Sequence, residues 1–242
     1  MKPDYKKIFL VIVGIAVTAL ISAYAVTQIR LKLIFGDLPP YRGERLEYIG
    51  PGDEFTKTLP KAAVEKRTQE LAGLKKQIYA NPKDYNLWIQ AGILKKFFNN
   101  YEGARDVWEY AIVVDPKISL AYFNLGNLYE YYLKDFAKAE ANYLKAVEIE
   151  GRVAAQYHIA LADFYDISYV EKKNEVEKVL LNGINLIPHD ASLKVRLSAY
   201  YEKQGDVPKA IQYLKVAIID DPSLIEVQKK LQNLESSASR RK

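Results

Sequence analysis

The residue types that could do acid–base, nucleophilic or metal chemistry are sparse here. The chain of 242 residues has two histidines, His158 and His189, and no cysteine. An imidazole can relay protons or hold a metal. His158, however, stands inside an apolar helical pattern, and His189 follows Pro188 in a turn. No cysteine means no disulfide, no thiolate nucleophile and no thiolate metal site. No glycine-rich phosphate loop, Ser–His pair or Walker-type lysine motif occurs. The carboxylates are scattered over helix faces, and Asp220-Asp221 reads as the end of a helix before Pro222. The expectation is a protein that is not an enzyme, with no catalytic, cofactor-binding or metal-ligating residues and no cofactor.

The elements that carry these residues are periodic. Pro82, Pro116, Pro188 and Pro222 recur with Gly151 in the fifth place, at spacings of 34, 35, 37 and 34 residues. A fixed period of this length marks stacked supersecondary units. Each unit reads as two helices. Trp88, Ala91 and Gly92 precede Ala104, Trp108 and Ala111. Tyr122, Leu125, Gly126 and Tyr129 precede Ala139, Tyr143 and Ala146. His158, Leu161, Ala162 and Tyr165 precede Val176, Leu180 and Gly183, and Leu197, Ser198 and Tyr201 precede Ala210, Leu214 and Ala217. Large residues three and four apart bury one helical face, and the small ones let paired helices approach. Proline, which lacks an N–H, fits the connection after each second helix. The second unit has one extra residue near Tyr131-Tyr132, and the third has a longer inter-helix loop over 168–174.

This pattern resembles the tetratricopeptide repeat (TPR) family, most closely in Asn124-Leu125-Gly126-Asn127-Leu128-Tyr129 and in Ala210 to Leu214 followed by Asp221-Pro222. The resemblance covers residues 85–224 as four units. It implies an all-α, right-handed superhelical solenoid of helix–turn–helix units whose first helices line a concave groove. Capping helices are expected at 62–82 and 225–236, because an end repeat otherwise exposes its core face, and a tail at 237–242. By the family alignment, Ile89, Phe123, Ile159 and Val195 face the groove. One turn on come Ile93, Asn127, Asp163 and Ala199, then Lys96, Glu130, Asp166 and Glu202. Phe123 and Ile159 are the expected anchor contacts for a partner. Some members clamp a C-terminal carboxylate with lysine, asparagine and arginine. Here Asn124 and Asn127 match its amides, but Phe123, Gln156 and Ala160 stand where cations are needed, so the clamp is absent. An amphipathic helix with basic flanks, or an extended apolar peptide, suits an apolar floor with an acidic side.

Ahead of the repeats, residues 8–29 carry no charge. At about 1.5 Å per residue they are long enough for the ~30 Å hydrocarbon core. A basic tail at 1–7 precedes them, and Arg30 and Lys32 follow. The expectation is a single-pass signal-anchor helix. The alternative is a cleaved signal peptide with its small-x-small site at Ala23-Tyr24-Ala25, which would release a secreted soluble adaptor. Lys2, Lys6 and Lys7 are balanced by Arg30, Lys32, Arg42 and Arg45, so charge alone does not orient the helix. A cytoplasmic N-terminus with extracytoplasmic repeats is expected, since short lysine-bearing tails usually stay inside. Gly14, Thr18 and Ser22 recur every four residues and offer a homodimer contact. Residues 30–61, with Pro39-Pro40, Gly50-Pro51-Gly52 and Pro60, read as a linker; the alternative is that they fold over the first repeat, since Tyr41, Leu46, Tyr48, Ile49 and Phe55 are apolar enough to dock.

The net charge of +5 does not mark a nucleic-acid binder. Residues 62–236 hold 23 basic and 24 acidic side chains, so the excess lies around the apolar segment and in the tail. That distribution suits lipid headgroups better than a phosphate groove. The reading is a membrane-anchored scaffold for a protein partner in secretion, envelope assembly or protein maturation.

Overall fold

The computed structural model describes residues 5–50 and 54–239, with side chains at 12–50 and 55–239. Lys2 and the first residues of the basic tail, Pro51 and Gly52, and Arg240, Arg241 and Lys242 lie outside the described residues. The described residues form α-helices joined by short turns, with no strand among them. The chain divides into two compact units, Met1–Pro116 and Lys117–Lys242.

In the first unit, α1 (Tyr5–Phe35) and a short α2 (Glu54–Thr58) lead into α3 (Lys61–Ala80) and the helix pair α4 (Tyr85–Phe97) and α5 (Tyr101–Val114). The second unit holds three further pairs. They are α6 (Ser119–Leu128) with α7 (Phe136–Glu150), α8 (Ala155–Asp163) with α9 (Val176–Leu186), and α10 (Ala191–Lys203) with α11 (Val207–Asp220). The last helix, α12 (Ile225–Ser239), packs on α11 and buries no residue fully.

The pairs form because the small residues sit where helices cross. A Cβ added at Gly126 would lie 2.7 Å from the Tyr143 ring, and one at Gly92 would collide with the Trp108 indole. The helix starts are capped. Asn100, Asp135 and Asp206 accept from the N–H groups of Gly103, Lys138 and Lys209, so the second helices of the first, second and fourth pairs start at a satisfied donor, while α9 follows its 3-10 turn without a side-chain cap. The extra residue of the second pair is taken up by a π-helical turn, Tyr129–Leu133, closed by Lys134 N–H to the Tyr129 carbonyl, with Lys134 at φ 56°. A turn closed five residues back takes one residue more than an α-turn, so the following cap falls back into place. The third pair does the same over Phe164–Ser168 and adds a 3-10 turn over Val170–Glu175.

Two features differ from the sequence expectation. First, α1 does not stop at Ile29 but runs to Phe35, which is buried, so the first residues of the expected linker are helical. Arg30 and Lys32 do not break the helix, because long side chains extend from it without disturbing its backbone bonds. Second, 36–50 is not a free linker but takes the docked alternative. Leu46 is 2% exposed, and the Tyr48 carbonyl accepts from Lys95 of α4 at 2.8 Å. From Ile12 through Arg30 every residue of α1 is exposed, Leu20 at 71% and Ile29 at 61% among them. Gly14, Thr18 and Ser22 lie in this stretch, and the Thr18 hydroxyl donates to the carbonyls of Gly14 and Ile15.

Candidate functional site: concave surfaces of the two units

The clearest concavity lies in the second unit. Ile159 of α8, Val195 and Ala199 of α10, and Leu224 and Val227 at the start of α12 line a hollow of about 740 Å³. Three first-position elements thus supply its apolar floor, as stacked pairs demand. Its lip carries Asp190, Asp220 and Asp221, with His189 and Arg196 beside them. Asp190 accepts from the Leu193 N–H, and Asp221 accepts from Ser223, so both also cap helix or turn donors. Asp220 is ion-paired to Lys194 and lies 3.3 Å from His189. The Lys194 and His189 contacts hold its carboxyl below the usual carboxylate range, and the Ser223 hydrogen bonds do so for Asp221. Asp220 and Asp221 are therefore ionised at neutral pH.

The expected groove residues do not all lie on open surface. Ile159 and Val195 are half-buried and line the hollow. Phe123 is also half-buried, but its ring lies 5.5 Å from Tyr157 and 6.2 Å from Tyr143, packed against the Ala146–Ala154–Tyr157 cluster. It serves the core, because its row on α6 adjoins the buried face. The Asn127 amide donates to the Phe123 carbonyl at 3.0 Å. Glu130 is 1% exposed and accepts from Tyr143 at 2.5 Å and Ser168 at 2.6 Å, so it faces inward from its π-turn.

The expected acidic side is largely neutralised. Arg196 pairs with Asp163 and, at 3.0 Å, with Asp166, and Lys203 reaches Asp166 at 2.9 Å. Asp166 is buried, which alone would raise its pKa, yet the Lys203 and Arg196 hydrogen bonds bring it below the ordinary value. Glu202 is exposed and meets Lys230 of α12 at 2.6 Å. The acid facing the hollow thus comes from Asp190, Asp220 and Asp221.

In the first unit, Ile89 is 4% exposed and its carbonyl accepts from the Trp108 indole at 3.1 Å, so it belongs to the core. Ile93 is half-exposed and lines a hollow of about 440 Å³ between α3 and α4, together with Leu74, Gln77 and Arg67. Lys96 is partly exposed on the same helix. His158 is buried, with Nε2 at 2.9 Å from the Gly151 carbonyl, and no group of three or more metal-ligating side chains occurs among the described residues.

Sequence reasoning missed Lys95. It stands where the period places Tyr129, Tyr165 and Tyr201, yet it is fully buried. Its ammonium donates to Glu44 at 2.6 Å and to the carbonyls of Arg45 and Tyr48. Burial pulls its pKa down, against the Glu44 carboxylate. A lysine at an otherwise aromatic position was the readable signal. Its partner, about 50 residues away, was not.

No family model matches the chain. Over 59 residues it is 34% identical to human Tetratricopeptide repeat protein 6, a match covering 24% of this chain. The chain spans 11% of the length of that curated relative. Among solved structures, MamA is similar over 69% of this chain and 99% of its own, at 18% identity and a TM-score of 0.50. YrrB, described as a TPR protein with an unusual peptide-binding site, is similar over 70% of this chain and 85% of its own, at 18% identity and a TM-score of 0.48.

Proposed function

We propose that this chain, which has the tetratricopeptide-repeat fold, is a non-enzymatic scaffold. It is anchored in a membrane by α1 and binds a partner protein through the hollow of its second unit. The observation that carries the reading is the pairing of an apolar floor, Ile159, Val195, Ala199, Leu224 and Val227, with an acidic lip in which Asp220 and Asp221 are ionised. Such a surface takes an amphipathic helix with basic flanks. The apolar side chains drop onto the floor, and lysine or arginine meets Asp190 and Asp221, Asp220 being held by Lys194.

The anchor rests on α1. Its stretch Ile12–Phe35 reaches a mean hydropathy of 1.9 over a window in which no residue is buried in the protein. A soluble helix of this composition would have to hide one face, whereas among the described side chains of α1 Phe35 is buried, Leu31 and Ile34 are half-buried and the rest are exposed. In this reading the repeats are extracytoplasmic, and Gly14, Thr18 and Ser22 offer a packing face to a second copy. The Thr18 hydroxyl is satisfied within its own helix, so that contact would rest on close packing alone. Tethering raises the local concentration near membrane partners, so weak contacts suffice for secretion, envelope assembly or protein maturation.

The test is a fluorescence-anisotropy titration of a labelled amphipathic helical peptide with lysine flanks. Saturable binding by the wild type is expected, weakened at least about tenfold, near 1.4 kcal/mol, by Val195→Glu. Equal binding by a folded Val195→Glu variant would remove the hollow from the account.

A further inference from the structure

The segment after α1 is built into the first unit at every step. The Phe35 ring meets Tyr79 of α3 and Tyr110 of α5 edge-on, at 6.2 and 6.1 Å. Gly36 then takes φ 60°, a left-handed turn that glycine allows without strain. The Tyr110 hydroxyl donates to the Pro39 carbonyl at 2.5 Å, and the Tyr41 ring packs 5.2 Å from Trp88 and 5.3 Å from Tyr110. The Glu44 N–H donates to Asp106 at 2.9 Å. The Glu44 carboxylate takes Lys95 at 2.6 Å and Asn100 at 2.5 Å. Leu46 is buried, and Glu47 pairs with Lys75 of α3 at 2.9 Å. Both ends of the segment and its middle are thus held by side chains of α3, α4 and α5.

We infer that residues 35–50 mount the first repeat rigidly on the end of α1, and that the face around Arg42 therefore lies in the headgroup layer of the membrane that α1 crosses. The inference rests on the anchor reading of α1 and adds where the first repeat sits. Arg30 and Lys32 are exposed on the last turns of α1, and Arg30 lies about 8 Å before Phe35 at 1.5 Å per residue. The bilayer surface, where such cations settle, is then within one or two helical turns of the aromatic socket that holds Phe35. Arg42 follows Tyr41 in that socket and is exposed. Of the segment's three acids, Glu44 and Glu47 are spent on Lys95 and Lys75 and Asp37 is exposed, so the exposed Arg30, Lys32 and Arg42 outnumber the one exposed acid in facing the anionic phosphates.

The experiment uses the full chain in nanodiscs containing phosphatidylglycerol. With no native cysteine, nitroxides go on Val26→Cys and Lys83→Cys, both exposed in the structure, and on a separate Arg42→Cys variant. Electron–electron distance measurement on the pair is expected to give one narrow distribution, broadened by Phe35→Ala and by Glu44→Ala. The Arg42→Cys label is expected to relax faster when nickel-chelating lipid is included. A broad distribution in a chain with native helicity overturns the rigid mount. A narrow one with no lipid-borne relaxation at Arg42 overturns the headgroup contact. Failure of the anchor reading shows separately: the Val26 label would then be reached by a water-soluble relaxant, which also ends the headgroup contact while leaving the distance readout of the mount intact.

Discussion

At the residue scale, Lys95 governs the first unit. Its ammonium is fully buried, with three acceptors around it. Removing one partner of a buried pair strands the other charge, at a cost of about 3–5 kcal/mol, whereas replacing both by apolar groups is often neutral. Glu44→Ala is therefore expected to lose about that much in urea unfolding, and Glu44→Leu with Lys95→Met to recover most of it. In the second unit Asp166 sets a pH dependence. Its folded pKa lies below the usual value, so the unfolded chain binds the proton more readily. The stabilisation is present above the ordinary carboxylate pKa and is lost as pH falls through the lowered folded value. Urea unfolding between pH 5 and 3, a range chosen around an aspartate pKa of about 3.9, should show a shallower acid loss in Asp166→Asn than in the wild type. Sequence reasoning placed Phe123 and Glu130 on the groove because the period gives a row on a helix, not its depth. The aromatic neighbours Tyr143 and Tyr157, which bury that row, come from other helices.

At the element scale, the small residues at helix crossings decide whether pairs close. Gly126→Ala would push a methyl to 2.7 Å from the Tyr143 ring. It is expected to destabilise by about 1–3 kcal/mol through overpacking, read as a lower Tm in circular dichroism. These pairs were legible because proline, glycine and aromatic residues recur at a helical period. The π-turns at Tyr129–Leu133 and Phe164–Ser168 were legible only as insertions. Sequence spacing shows an extra residue but not whether a loop or a wider helical turn absorbs it. For 36–50 the prolines and glycines exclude a helix, and the apolar Tyr41, Leu46 and Tyr48 leave docking on the first repeat open; the polar contact that fixes it, Glu44–Lys95, is not revealed by any local period.

At the scale of the whole molecule, the account joins an exposed apolar helix to repeats with an acid-rimmed hollow. The apolar run was legible from composition. Its sidedness was not, because lysines before it and arginines after it nearly balance. An uncleaved α1 predicts that the protein stays with membranes through alkaline carbonate and that its intact mass retains α1. Loss of 25 residues after Ala25, with release into the soluble fraction, would instead mark a secreted adaptor. The central claim is that the membrane-tethered hollow selects the partner. Its most direct test is in-membrane crosslinking with mass spectrometry, comparing wild type with an Ile159→Glu/Val195→Glu variant whose helicity and Tm are native. The account predicts crosslinked partners that are present in the wild type and lost in the variant. An unchanged set of partners in the folded variant would contradict it.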